Sequence, residues 1–128
     1  EYSFQNDKFK KVLIMDVIGV LKNAYGYAKW AYVGGGMGKS GLHNILEAAV
    51  YNIPVVIGKN YMKFPEALDL IKNGTCFSIS TDIEFIKVVG LISNIIEDKL
   101  TKNFNLVNNQ KGATGKIFSG LKKILEEE

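Results

Sequence analysis

Short apolar runs alternate along this chain with stretches of helical spacing, a pattern that predicts repeated β–α units around a parallel sheet. Val12 to Met15 reads as a first strand, with Asp16 placed to cap a helix over about 17–28. Trp30 to Val33 reads as a second strand that runs directly into Gly34-Gly35-Gly36, followed by a helix from Asn44 to Tyr51 and a third strand from Pro54 to Ile57. The next helix carries its own punctuation. Pro65 suits the first helical position, Glu66 complements the positive amino end, and Asn73-Gly74 is a stop signal. Cys76 to Ile79 is a fourth short strand. Thr81 and Glu84 form a capping box for a helix to about residue 98, with Ile83, Ile86, Val89 and Ile96 near one face. Further helices are predicted over about 101–109 and 114–125, and residues 1–10 read as a loose tail to a single domain spanning 1–128.

Composition narrows the function classes. The hydrophobic fraction of 47% against 23% charged residues is that of a folded globular protein, and 128 residues suffice for one core. No apolar run reaches the roughly 18 residues of a membrane span. All sixteen basic residues are lysine and they are scattered, giving a net charge of only +3, so nucleic acid is not an expected partner. Cys76 has no second cysteine to pair with and falls in an apolar run, as a small core residue would. One histidine with no cysteine partner does not make a zinc site. The chain opens on Glu1 rather than methionine, and we expect it to be part of a longer product.

The chemistry concentrates in residues 32–49, YVGGGMGKSGLHNILEAA. A Walker A loop has its first glycine five positions before the glycine that precedes lysine. Five positions before Gly38 stands Val33, so the nest of inward amides would be one residue short. No aspartate ends the third strand to hold magnesium. A nucleotide hydrolase is therefore not expected. The loop nevertheless joins a strand to a helix, where free N–H groups converge on an anion. Lys39 adds a point charge and His43 a ring donor. Each feature also has a plainer role: a tight turn for the glycines, a solvated Lys39, a His43 satisfied by a carbonyl, and an N-cap with its capping-box partner for Asn44 and Glu47. Their clustering at a strand's carboxyl end, where open α/β sheets bind ligands, favours a site.

Taken together, Gly34-Gly35-Gly36, then Lys39-x-Gly41-x-His43-Asn44-x-Leu46-Glu47, then Ile53-Pro54-Val55 and Gly58, resemble the carboxy-terminal half of the 3-deoxy-D-manno-octulosonic acid (Kdo) transferases. Asp16-x-x-Gly19-x-Leu21 with Tyr25-x-x-Ala28, Asn60-x-x-x-Phe64 with Glu66-Ala67, and Gly112-Ala113-Thr114 extend the resemblance over about residues 11–125. Lys39 stands where the family often has arginine, and Gly58-Lys59-Asn60 where it has Gly-Pro.

The resemblance implies a Rossmann-like parallel sheet flanked by helices, the carboxy-terminal half of a two-domain GT-B-type glycosyltransferase. It implies that Kdo passes from CMP-Kdo to a lipid A precursor at the cytoplasmic face of a Gram-negative inner membrane, which the full-length protein would contact. No cofactor is expected. Gly35, Gly36, Lys39, Gly41, His43 and Asn44 are the expected phosphate-binding residues, and Glu47 the ribose-binding one. Asp16 and Gly19 could border the same cleft. The family's general base is a glutamate of the amino-terminal domain, so no catalytic residue is expected here and this chain alone should not transfer sugar. Another GT-B enzyme using a UDP- or GDP-sugar, and a non-catalytic nucleotide-binding module, remain the alternatives.

Overall fold

The computed structural model describes residues 11–92 and 112–126. Three strands, β1 (Ala31–Val33), β2 (Val55–Gly58) and β3 (Cys76–Ile79), form a parallel sheet in the order β1-β2-β3. Val55 is aligned with Ala31 on one side and with Cys76 on the other. The central strand is buried along its whole length, which explains why Pro54-Val55-Val56-Ile57 is continuously apolar rather than alternating. Helices α1 (Leu21–Ala24), α2 (Leu46–Ala49), α3 (Pro65–Lys72), α4 (Asp82–Ile92) and α5 (Ala113–Glu126) complete the described elements. Among them none is long and apolar enough to cross a membrane.

Successive strand residues point to opposite faces, so the sheet divides the core in two. Val55, Ile57, Ala31, Val33 and Cys76 pack with Ile45, Ala48 and Ala49 around α2 and with Ala67 and Leu70 of α3. Val56 and Ile79 pack on the other face with Ile92 of α4, bordered by Trp30, Phe77, Phe85 and Val88. Trp30 and Tyr32 both meet the Phe85 ring edge-on, at centroid distances of 5.7 and 6.3 Å.

Local signals set the ends of α3 and α4. Phe64 is extended, as the residue before a proline must be, and Pro65 opens α3. The helix stops where Gly74 takes φ +72°. The Gly74 amide donates to Ile71 and the Thr75 amide to Leu70, a Schellman pattern. The buried Thr75 hydroxyl also donates to Leu70 O, at 3.1 Å. At α4 the Glu84 amide donates to Thr81 Oγ1 at 3.2 Å, while Glu84 Oε2 accepts from Ser80 N at 2.6 Å. The return half of the box thus reaches one residue further back than the usual pattern.

Three expectations need correction. Val12–Met15 is not a strand: residues 11–16 have no regular structure, and Ile14 is 83% exposed. A four-residue apolar run becomes a strand only where a neighbouring ladder receives it, and none of the described residues does. Asp16 does not cap a helix, because α1 begins at Leu21 after Val20 and passes into a 3-10 turn at Tyr25–Tyr27. The inward face of α4 is Phe85, Val88 and Ile92, while Ile83 and Ile86 are exposed at 61 and 70%. Phe85 wins that face because its ring meets Trp30 and Tyr32. Residues 1–10, Ile96 and the helix expected over 101–109 lie outside the described residues; the last helix, expected over 114–125, is α5.

Candidate functional site

The glycine loop leaves the carboxyl end of β1 and closes on itself. His43 N donates to Gly34 O at 3.1 Å, bringing its far end back to the strand. Gly35 takes φ +90° and Gly41 φ +85°. They touch so closely that a Cβ on Gly35 would lie 1.9 Å from Gly41 O. Any side chain at Gly35 is therefore excluded twice, by conformation and by space.

A second clamp comes from the end of β2. Asn60 donates its backbone N–H to Gly36 O at 2.8 Å and its side-chain amide to Gly38 O at 2.9 Å. These bonds occupy two loop carbonyls. Met37, Lys39, Ser40 and Gly41 make no hydrogen bond among the described residues, so their amides are left as donors. With carbonyls tied inward and amides unclaimed, the loop is suited to an anion. In the sequence, Asn60 stands out only as part of the segment that resembles the family. Its role as a clamp depends on a contact 22 residues away, and local spacing gives no signal of that.

The helix after the loop is shorter than expected. Regular α geometry covers Leu46–Ala49 only, flanked by tighter turns, and it ends where Asn52 takes φ +57° ahead of Pro54. Its dipole is correspondingly small. Asn44 Oδ1 accepts the Leu46 amide at 3.1 Å, and Asn44 Nδ2 donates to Glu47 Oε1, also at 3.1 Å. Asn44 thus ties down the first amide of the helix from one position ahead of the N-cap residue Ile45, and it holds one carboxylate oxygen of Glu47.

The expected site residues flank the loop rather than share one pocket. Lys39 and Gly41 line a cavity of ≈ 500 Å³ together with Lys59, Asn60, Lys63 and Phe64. Glu47 lines a separate cavity of ≈ 610 Å³ with Met15, Ile18, Gly19 and Lys22. The exposed His43 ring stands over Gly34 and Gly35, since a Cβ on Gly35 would meet its Cδ2 at 3.1 Å. Gly36 is buried against Gly58 of β2. The Tyr25 phenol is pushed above its usual range, first by burial and then by the charge of Glu47, which places that carboxylate beside the 3-10 turn. Asp16 is exposed, and it is Gly19, at φ +89°, that borders the Glu47 cavity.

A parallel sheet with helices on both faces and a glycine-hinged loop at its carboxyl edge is the architecture of the carboxy-terminal half of GT-B-type glycosyltransferases. The chain is 28% identical over 125 residues to a 3-deoxy-D-manno-octulosonic acid transferase of Haemophilus influenzae, covering 91% of this chain and 28% of that protein. With the enzyme of the same name from Aquifex aeolicus it shares 30% over 99 residues, 73% of this chain and 28% of that one. Its fold is similar to the C-terminal CMP-Kdo binding domain of WaaA from Acinetobacter baumannii, with a TM-score of 0.58, 26% identity, and coverage of 75% of this chain and 52% of that one. No family model matches the chain. The chain is thus similar to the Kdo transferases, in the part that corresponds to their carboxy-terminal domain. It spans about 28% of the length of these curated relatives.

Proposed function

We propose that this domain holds the CMP-Kdo donor of an enzyme that transfers Kdo to a lipid A precursor at the cytoplasmic face of the inner membrane. The observation that carries this reading is the clamped glycine loop, whose carbonyls are engaged by Asn60 while its amides stay unclaimed, in a fold shared with a CMP-Kdo binding domain.

On this reading the donor phosphate lies over Gly35, Gly36 and Gly41, within reach of Lys39 and His43. As CMP departs, negative charge grows on that phosphate, and fixed amides with an ammonium group stabilise it without reorganising. Asn44 orients Glu47, and the carboxylate accepts hydrogen bonds from ribose hydroxyls in the cavity bordered by Gly19. Removing the acceptor's proton requires a general base. The resemblance assigns that base to the amino-terminal domain, so this chain alone binds donor without turning it over.

Calorimetry with CMP, UMP and GMP tests the reading. CMP is expected to bind best, and Lys39→Ala and Glu47→Ala should each weaken it about tenfold, as loss of one charge-assisted hydrogen bond does. A preference for UMP or GMP would reject the Kdo assignment. Unchanged affinities in both variants would reduce the domain to a module with no nucleotide site at this loop.

A further inference from the structure

The cavity beside the loop carries more positive charge than one phosphate uses. Lys39, Lys59 and Lys63 all line it, and none of the three is paired with a carboxylate among the described residues. Their stems rise from fixed backbone. Lys59 follows Gly58, which sits against Gly36, and precedes Asn60, which is bonded twice to the loop. Lys63 lies in the turn closed by the Phe64 N to Tyr61 O bond of 2.9 Å, just before Pro65 starts α3.

Three lysines lining one open space concentrate positive charge there, which an entering anion would neutralise. A phosphodiester linking a nucleoside to a sugar supplies a single negative charge, and Lys39 with the loop amides already meets it. The volume of ≈ 500 Å³ suits a group of sugar size.

We propose that Lys59 and Lys63 form a carboxylate subsite that selects an acidic sugar on the donor nucleotide over a neutral one. The inference rests on the donor-binding reading above and assigns the sugar's carboxylate to this cavity. A neutral hexose would leave the lysines unmatched, whereas the carboxylate of an octulosonic acid accepts from both ammonium groups.

The test is titration of the chain with CMP, free Kdo and CMP-Kdo, comparing wild type with the Lys59→Gln/Lys63→Gln double variant. A Lys72→Gln/Lys87→Gln variant, with the same change in net charge, serves as reference. The first pair should weaken CMP-Kdo at least about tenfold and abolish any binding of free Kdo, while CMP stays within about twofold. The reference pair should change none of the three. Equal weakening of CMP and CMP-Kdo would overturn the proposal by assigning these lysines to the phosphate, and so would an unchanged affinity for CMP-Kdo. If wild type bound no cytidine nucleotide at all, the donor-binding reading would fail and the subsite with it. Retained CMP binding with no lysine effect would remove the subsite alone.

Discussion

Gly58→Ala should loosen the candidate site by prising apart two pieces of backbone. Gly58 ends β2 where Gly36 of the loop crosses it. A Cβ there would lie 2.2 Å from the Gly36 carbonyl carbon, 2.3 Å from Met37 N and 2.5 Å from Gly36 O. Non-bonded carbon atoms settle at about 3.5–4 Å, so the loop must retreat by more than about 1 Å. Every obstructing atom is backbone, and no rotamer change relieves the contact. The retreat breaks both Asn60 bonds to the loop, now 2.8 and 2.9 Å, worth about 1 kcal/mol each. Overpacking at a buried strand end adds about 1–3 kcal/mol. The expected loss is about 4 kcal/mol, or roughly 15 °C in Tm for a domain of this size. Thermal unfolding followed by circular dichroism measures it, with Gly38→Ala as the companion variant. Nothing lies within 4 Å of a Cβ at Gly38, so that change should stay within about 0.5 kcal/mol. A Tm for Gly58→Ala within about 3 °C of wild type would refute the reasoning, because the loop would then not depend on this backbone contact.

Gly90→Ala should act in the opposite direction. Gly90 is an exposed position of α4 with open space around its Cβ among the described residues, and alanine there should add about 0.5–1 kcal/mol; a lower urea midpoint would contradict this. Burial pushes the Cys76 thiol up from 9.0 to about 12, partly offset by a hydrogen bond from the Phe77 backbone. The unfolded chain therefore loses this proton from about pH 9 while the folded chain keeps it, so the contribution is whole below pH 9 and is lost as pH rises towards 12. Between pH 8 and 10.5, wild type should lose roughly 2 kcal/mol more than Cys76→Ala, and parallel pH profiles of urea unfolding would exclude the effect. The same burial predicts that a thiol reagent at pH 8 labels Cys76 only on unfolding; rapid labelling of the native chain would mean that the α3 face of the sheet opens readily.

How much of this was legible depended on whether the governing interaction was local. Helix α3 was placed within a residue because its signals are its own: Pro65 at the start, Asn73-Gly74 at the stop. Strand β3 matched Cys76–Ile79 residue for residue, and β2 showed in a continuous apolar run. The first strand failed because Val12–Met15 carries β propensity but no partner, and pairing is not written in the run itself. The phase of α4 failed because isoleucine spacing alone cannot outweigh the aromatic contact that Phe85 makes with Trp30 and Tyr32.

The site divides along the same line. Gly35, Gly36, Lys39, Gly41, His43, Asn44 and Glu47 stand within thirteen positions of one another, so their clustering was visible before any fold. What spacing could not reveal was their partition. Lys39 faces the chain that follows β2, and Glu47 faces the chain that precedes β1. A ligand that engages both must span the loop from one cavity to the other, lying across Gly34–Gly35 and the His43 ring. A nucleotide joined to a sugar has that shape: a nucleoside on one side, a charged linker at the crossing, and a second polar group beyond. A small anion such as inorganic phosphate fills only the crossing. It should therefore bind far more weakly than the joined nucleotide, and its affinity should ignore Glu47→Ala.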